Sequence, residues 1–172
     1  MHILVIPYNY PSKGFENRGV FIFEQVKALR LTNKVGVLGG IPKTFKDLVK
    51  AKKYIFGRNP TERWLISYFA VRGAVFLNNW FAYNFGRFLF KKYIRTEGRP
   101  DIIHVHNASA AYLAVWIKEI YNIPFVITEH SSALWNTASL SKKQIDMIKI
   151  AYEKSSYNIA VSQSFAEHLQ AE

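Results

Sequence analysis

The chain has 172 residues, 23 Lys and Arg against 12 Asp and Glu for a formal net charge of +11, and no cysteine. That length fits one domain with a substantial core, while 49% apolar residues and a mean hydropathy of −0.05 exclude a disordered chain. The absence of cysteine rules out a disulfide framework, thiolate metal sites and cysteine nucleophiles, and it suits the cytoplasm.

Ile3-Leu4-Val5-Ile6 is a continuous apolar run broken at Pro7, the pattern of a strand buried on both faces in a parallel sheet. It is too short, and lacks the cationic start, for a secretory signal. A turn-rich stretch from Asn9 to Gly19 follows. Val20 to Leu31 then reads as a helix with Ile22, Val26 and Leu29 on one face, and Lys34 to Leu38 as a strand ended by Gly39-Gly40. Strand, Gly-containing loop, helix and strand within about forty residues make a βαβ unit, which is parallel and right-handed.

Residues 41–99 read as a helical insertion, with Asn59-Pro60 as N-cap and first helical residue before Trp64-Leu65, and with Gly73 and Gly86 as possible interruptions. They carry thirteen basic against three acidic residues and 14 of the 27 aromatics. A cationic, aromatic surface suits an anionic and partly apolar partner: a phospholipid headgroup, a lipid-linked phosphate or a nucleic acid. The longest piece within residues 41–99 free of Asp, Glu, Lys and Arg, Gly73 to Gly86, is fourteen residues and too short to cross a bilayer. Its aromatics, with Trp64, Leu65, Tyr68 and Phe69, either pack a core or lie on a membrane, and a helix can do both with opposite faces.

Gly98-Arg99-Pro100 punctuates the chain, and the alternation of strand and helix resumes. Ile102 to His106 is a strand, followed by a helix facing inward through Ala110, Leu113, Ile117 and Ile120. Phe125 to Thr128 is the next strand, and Ser141 and Gln144 stand at capping-box spacing before a helix with Ile145, Ile148 and Tyr152. Tyr157 to Val161 is a last strand, with Ser164 and Glu167 again at capping-box spacing. The expected fold class is α/β: a doubly wound, Rossmann-like parallel sheet with helices on both faces and ligands at the carboxyl ends of its strands.

Four segments resemble the amino-terminal domain of family-four retaining glycosyltransferases of the GT-B fold. They are the opening strand with its loop to Gly19-Val20, Arg99-Pro100-Asp101-Ile102-Ile103-His104-Val105-His106, Ile123-Pro124-Phe125-Val126-Ile127-Thr128-Glu129-His130, and Ala160-Val161-Ser162 before a helix. Each is weak alone; their order and separation along the whole chain are fairly specific. The resemblance implies that residues 1–172 form the acceptor-binding half of a two-domain enzyme. The donor-binding half, with its pair of glutamates seven residues apart, is absent, so the chain is expected to be an excised domain that does not turn over alone. The rival organisation is a non-catalytic subunit that recruits a separate donor-binding chain to the membrane.

The resemblance also implies site residues. His130 matches the family's histidine that faces acceptor and donor sugar; the donor's leaving phosphate takes the acceptor proton in a front-face transfer, so His130 positions rather than deprotonates. Asn17, Arg18 and Gly19 lie where relatives often have two adjacent glycines against the donor diphosphate. Only the second glycine is matched here, and Arg18 can reach phosphate through its guanidinium. His106 and Asn107 end one strand, Glu129 and Ser131 flank the end of the next, and Ser162 is equally a helix cap or a ligand contact. Alternation puts His104 and His106 on one face, with His104 deeper and therefore a core histidine. No HxxxH, His-x-x-Glu, Gly-x-Ser-x-Gly, P-loop or Gly-x-Gly-x-x-Gly pattern occurs, so neither metal nor cofactor is expected beyond a nucleotide-sugar co-substrate. The expected partners are that donor, a lipid-linked saccharide acceptor and an anionic membrane surface on the cytoplasmic side. A nucleic-acid partner, though suited to a sequence pI of about 9.8, has no recognition motif behind it.

Overall fold

A computed structural model describes residues 1–11, 17–43, 64–69, 75–130, 134 and 140–171. Along the chain run β1 (His2–Pro7), α1 (Val20–Leu29), β2 (Lys34–Lys43), β3 (Trp64–Phe69), α2 (Val75–Glu97) and β4 (Ile102–His106). They are followed by a 3-10 turn (Ala108–Ala110), α3 (Tyr112–Tyr121), β5 (Phe125–Glu129), α4 (Lys142–Lys154), β6 (Tyr157–Ala160) and α5 (Gln163–Ala171). The six strands form one sheet in the order β3-β2-β1-β4-β5-β6, and every pairing is parallel. This is the doubly wound α/β architecture expected from the sequence, and its winding direction reverses between β1 and β4.

Period-two alternation sorts the strand side chains between two cores. Ile3 and Val5 of β1 pack with Ile22 and Val26 of α1, while Leu4 and Ile6 face the opposite core with Leu89, Phe90 and Tyr93 of α2. On β4, Ile103 and Val105 join the α2–α3 core, which leaves His104 and His106 on the α1 side of the sheet. Helices therefore cover both faces.

Several local expectations are corrected. Trp64-Leu65 opens strand β3 rather than a helix, so residues 41–99 contribute the end of β2 and all of β3 to the sheet. A short apolar run such as Trp64 to Phe69 has no periodicity that separates strand from helix; pairing of Leu38 with Trp64 and Gly39 with Leu65 decides it. For the same reason Gly39-Gly40 does not end β2, which continues to Lys43. Gly86 does not break α2. A Cβ there would meet Leu113 at 2.9 Å, so the glycine lets α2 and α3 approach closely. Ile120 is exposed, because the inward face of α3 runs through Leu113, Ala114, Trp116 and Ile117 instead. At the start of α5, the Ser162 hydroxyl accepts from the Phe165 N–H at 3.2 Å; Ser164 lies inside the first turn and cannot be the cap. The capping box of Ser141 and Gln144 on α4 forms as expected. Asn59-Pro60 and Gly73 lie outside the described residues.

Candidate functional site

Parallel pairing brings the carboxyl ends of β1, β4, β5 and β6 to one edge of the sheet. There His106 sits in register with Pro7 of β1 on one side and Thr128 of β5 on the other, at the point where the winding reverses. Open α/β sheets bind their ligands in that crevice.

Beyond β4 the backbone turns sharply at Asn107, whose φ of 72° with ψ of 131° lies outside the left-handed helical region and is a strained conformation for a residue other than glycine. The turn is held from both sides. The Asn107 N–H donates to the Thr128 carbonyl at 2.9 Å, and its side-chain Oδ1 accepts from the His130 N–H at 3.1 Å. Glu129, 2% exposed, completes the fastening. Its Oε2 accepts from the Ala108 N–H at 2.8 Å and the Tyr152 hydroxyl at 3.0 Å, and its Oε1 from the His130 N–H at 3.1 Å. One carboxylate thus ties the loops after β4 and β5 to α4. Burial, then the charge of Glu129, then its hydrogen bond push the Tyr152 phenol far above its ordinary range, so Tyr152 remains a donor.

Three imidazoles line the α1 side. His104 and His106 have ring centroids 4.3 Å apart, and His106 and His130 stack at 5.3 Å with 23° between planes. His104 Nε2 is 2.8 Å from the Thr128 hydroxyl, and His106 Nδ1 is 3.1 Å from His130 Nε2. Burial holds His104 down at about 4, with the neighbouring His130 adding to it. The same cause, reinforced by His104 and His130, holds His106 at about 3. His130, less enclosed, is lowered by burial, and the Glu129 charge opposes that. All three rings are neutral at pH 7.

The start of α1 reaches this group through Phe21, whose ring lies 4.5 Å from that of His130. Gly19 is the N-cap of α1, with φ 66°, and a Cβ on it would fall 2.3 Å from the Asn9 carbonyl oxygen. The glycine is thus required by the chain's own fold-back after β1, with the Gly19 carbonyl accepting from the Ile22 and Phe23 N–H groups.

Of the residues picked from the sequence, the fold brings His106, Asn107, Glu129 and His130 into one hydrogen-bonded cluster, with the helix that starts after Gly19 beside it. Asn17 and Arg18 lie exposed in the turn leading into that helix. Glu129 is enclosed by internal bonds rather than opened toward a ligand, and Ser162 is engaged as a helix cap. Ser131 lies outside the described residues. Phe21 and Tyr152 are participants that no sequence motif marks, and Thr128 stands in the Ile123–His130 segment only as a strand residue. Tyr152 reads in the sequence only as an apolar position on α4. Among the described residues, no three His, Asp or Glu side chains are grouped to hold a metal ion.

The parallel sheet with its reversed winding, its histidine-rich carboxyl edge and the helix start beside it make a Rossmann-like α/β domain. Residues 46–172 match Glycosyltransferase Family 4, and the chain belongs to that family. Among solved structures it resembles sucrose-phosphate synthase from Thermosynechococcus elongatus, with a TM-score of 0.63 at 16% identity over 99% of this chain and 81% of that one. That likeness shows the shared fold. No curated protein matches.

Proposed function

We propose that this chain is the acceptor-binding half of a retaining glycosyltransferase that moves a sugar from a nucleotide-sugar to a growing, lipid-linked surface polysaccharide at the cytoplasmic face of a membrane. The observation behind this reading is the convergence of His106, Asn107, Glu129 and His130 at the winding reversal, beside the start of α1, in a member of Glycosyltransferase Family 4. A neutral His130 is suited to hydrogen-bond a hydroxyl and not to carry a positive charge. A second domain would supply the grip on the nucleotide, and the leaving phosphate would take the acceptor proton. In the complete gene product, His130→Ala is expected to lower glycosyl transfer at least tenfold, about 1.4 kcal/mol of transition-state stabilisation. Unchanged kinetics in a folded variant would dismiss the role.

The membrane part of the reading is supported by α2. Its inward face carries Leu89, Phe90 and Tyr93, while Trp80, Phe88, Lys91, Lys92 and Arg95 are exposed. Arg87, by contrast, lies over the Tyr83 and Trp116 rings. Exposed aromatics continuing into three cations fit a helix lying on an anionic bilayer. No helix among the described residues is long and apolar enough to cross a membrane. Each cation near such a surface contributes about 1 kcal/mol. Replacing Lys91, Lys92 and Arg95 together by Gln is therefore expected to weaken binding to anionic liposomes on the order of a hundredfold. Equal, negligible sedimentation of the unmodified protein with anionic and neutral liposomes would remove the membrane proposal.

A further inference from the structure

The hydrogen bond between His106 Nδ1 and His130 Nε2, 3.1 Å long, joins two uncharged rings. Each neutral ring carries one N–H, and one of these must lie between the two nitrogens. Two arrangements satisfy this. In the first, His106 donates from Nδ1, its own Nε2 is a bare lone pair, and His130 carries its proton on Nδ1. In the second, His130 donates from Nε2, its Nδ1 is bare, and His106 carries its proton on Nε2.

The environment of the remaining His106 nitrogen decides between them. His106 is 1% exposed, and its Nε2 is enclosed with no hydrogen-bond partner among the described residues. The second arrangement would bury an N–H with nothing to accept it, and orphaned buried donors are rarer in folded proteins than under-satisfied acceptors. The first buries only a bare lone pair. The bond made by one ring nitrogen sets which form the other takes.

The geometry points to His106 as a positioning residue that fixes His130 in its Nδ1–H tautomer, so that the sheet edge presents a neutral hydrogen-bond donor to an oxygen lone pair. His130 Nδ1 makes no hydrogen bond to a described residue, and His130 is half-buried where His106 is enclosed. The ligand chemistry that fits is an uncharged acceptor, the hydroxyl or ring oxygen of a saccharide. A proton-abstracting role is closed to His130, because one ring nitrogen already carries hydrogen and the other accepts from His106. Naming a saccharide rests on the function proposed above; the tautomer does not.

The test is long-range proton–nitrogen correlation spectroscopy of the ring-labelled 172-residue protein at neutral pH, without any ligand. His130 is expected to show a protonated Nδ1 and a bare Nε2, and His106 the same pattern. His106→Asn, whose amide nitrogen falls near the place of Nδ1, should keep His130 in that form. His106→Leu removes the donor and should return His130 to the Nε2–H form that free imidazole favours. A proton on His130 Nε2 in the unmodified protein overturns the inference, as does an unchanged Nδ1–H form in folded His106→Leu. If the Leu variant does not fold, the unmodified and Asn spectra decide. Loss of transfer by His130→Ala bears on the proposed function alone, and an Nε2–H His130 bears on this inference alone.

Discussion

Lowering the pH from 7 to 5 is expected to remove roughly 3 kcal/mol of folding stability through His104 and His106. Both are held below the ordinary histidine value of 6.5, His104 at about 4 and His106 at about 3, chiefly by burial and secondarily by neighbouring imidazoles. Between those values and 6.5 the unfolded chain binds protons that the folded one refuses. Stability is therefore complete above about pH 6.5 and falls as acid is added, by up to about 1.4 kcal/mol per pH unit for each ring. Against a total of roughly 5–15 kcal/mol this is a large share. For a domain of this size, it corresponds to a drop in Tm of about 10 °C. Calorimetry at the two pH values measures it. His106→Asn should flatten the profile by about half, since one titrating ring is gone while the net charge is barely changed. A flat profile between pH 7 and 5 in the unmodified protein would show that the rings are not held neutral by the fold.

The second large effect lies at Glu129. Glu129→Ala strips an acceptor from the Ala108 N–H, the His130 N–H and the Tyr152 hydroxyl, of which only His130 keeps another among the described residues, Asn107 Oδ1. Hydrogen bonds to a charged group contribute about 1.5–3 kcal/mol each before relaxation, so a loss of roughly 3 kcal/mol in denaturant-measured stability is expected. Glu129→Gln can keep its oxygen toward Ala108 and Tyr152 but turns an NH2 toward the His130 N–H, and should cost roughly 1–2 kcal/mol. The ordering Ala beyond Gln is the informative part. Equal and small losses for both would mean that the loops after β4 and β5 are held by Asn107 and the sheet, not by the carboxylate.

The fold was largely legible along the chain because its signals are local. Strands β1, β4, β5 and β6 are short apolar runs between turns, α1 shows its face through Ile22 and Val26, and α4 announces itself by the Ser141–Gln144 box. The misreadings fall where local pattern has two solutions. Trp64 to Phe69 has the composition of a strand but sits in a stretch rich in helix-forming residues, and only its pairing with β2 settles it. Gly86 looks like a helix break until Leu113 of α3 is placed against it.

By itself the sequence determined the α/β class, the order of elements outside residues 41–99 and the positions of His106, Asn107, Glu129 and His130 at strand ends, because strand, helix and cap preferences act over a few residues. Tertiary structure alone decided what those residues do to one another. The His106–His130 bond spans 24 residues and the Glu129–Tyr152 bond 23, and Phe21 reaches His130 from the far end of the chain. Burial then turned two ordinary histidines into neutral rings and a glutamate into a clamp. Desolvation and hydrogen-bond partners are properties of the assembled sheet edge, and no single segment carries them.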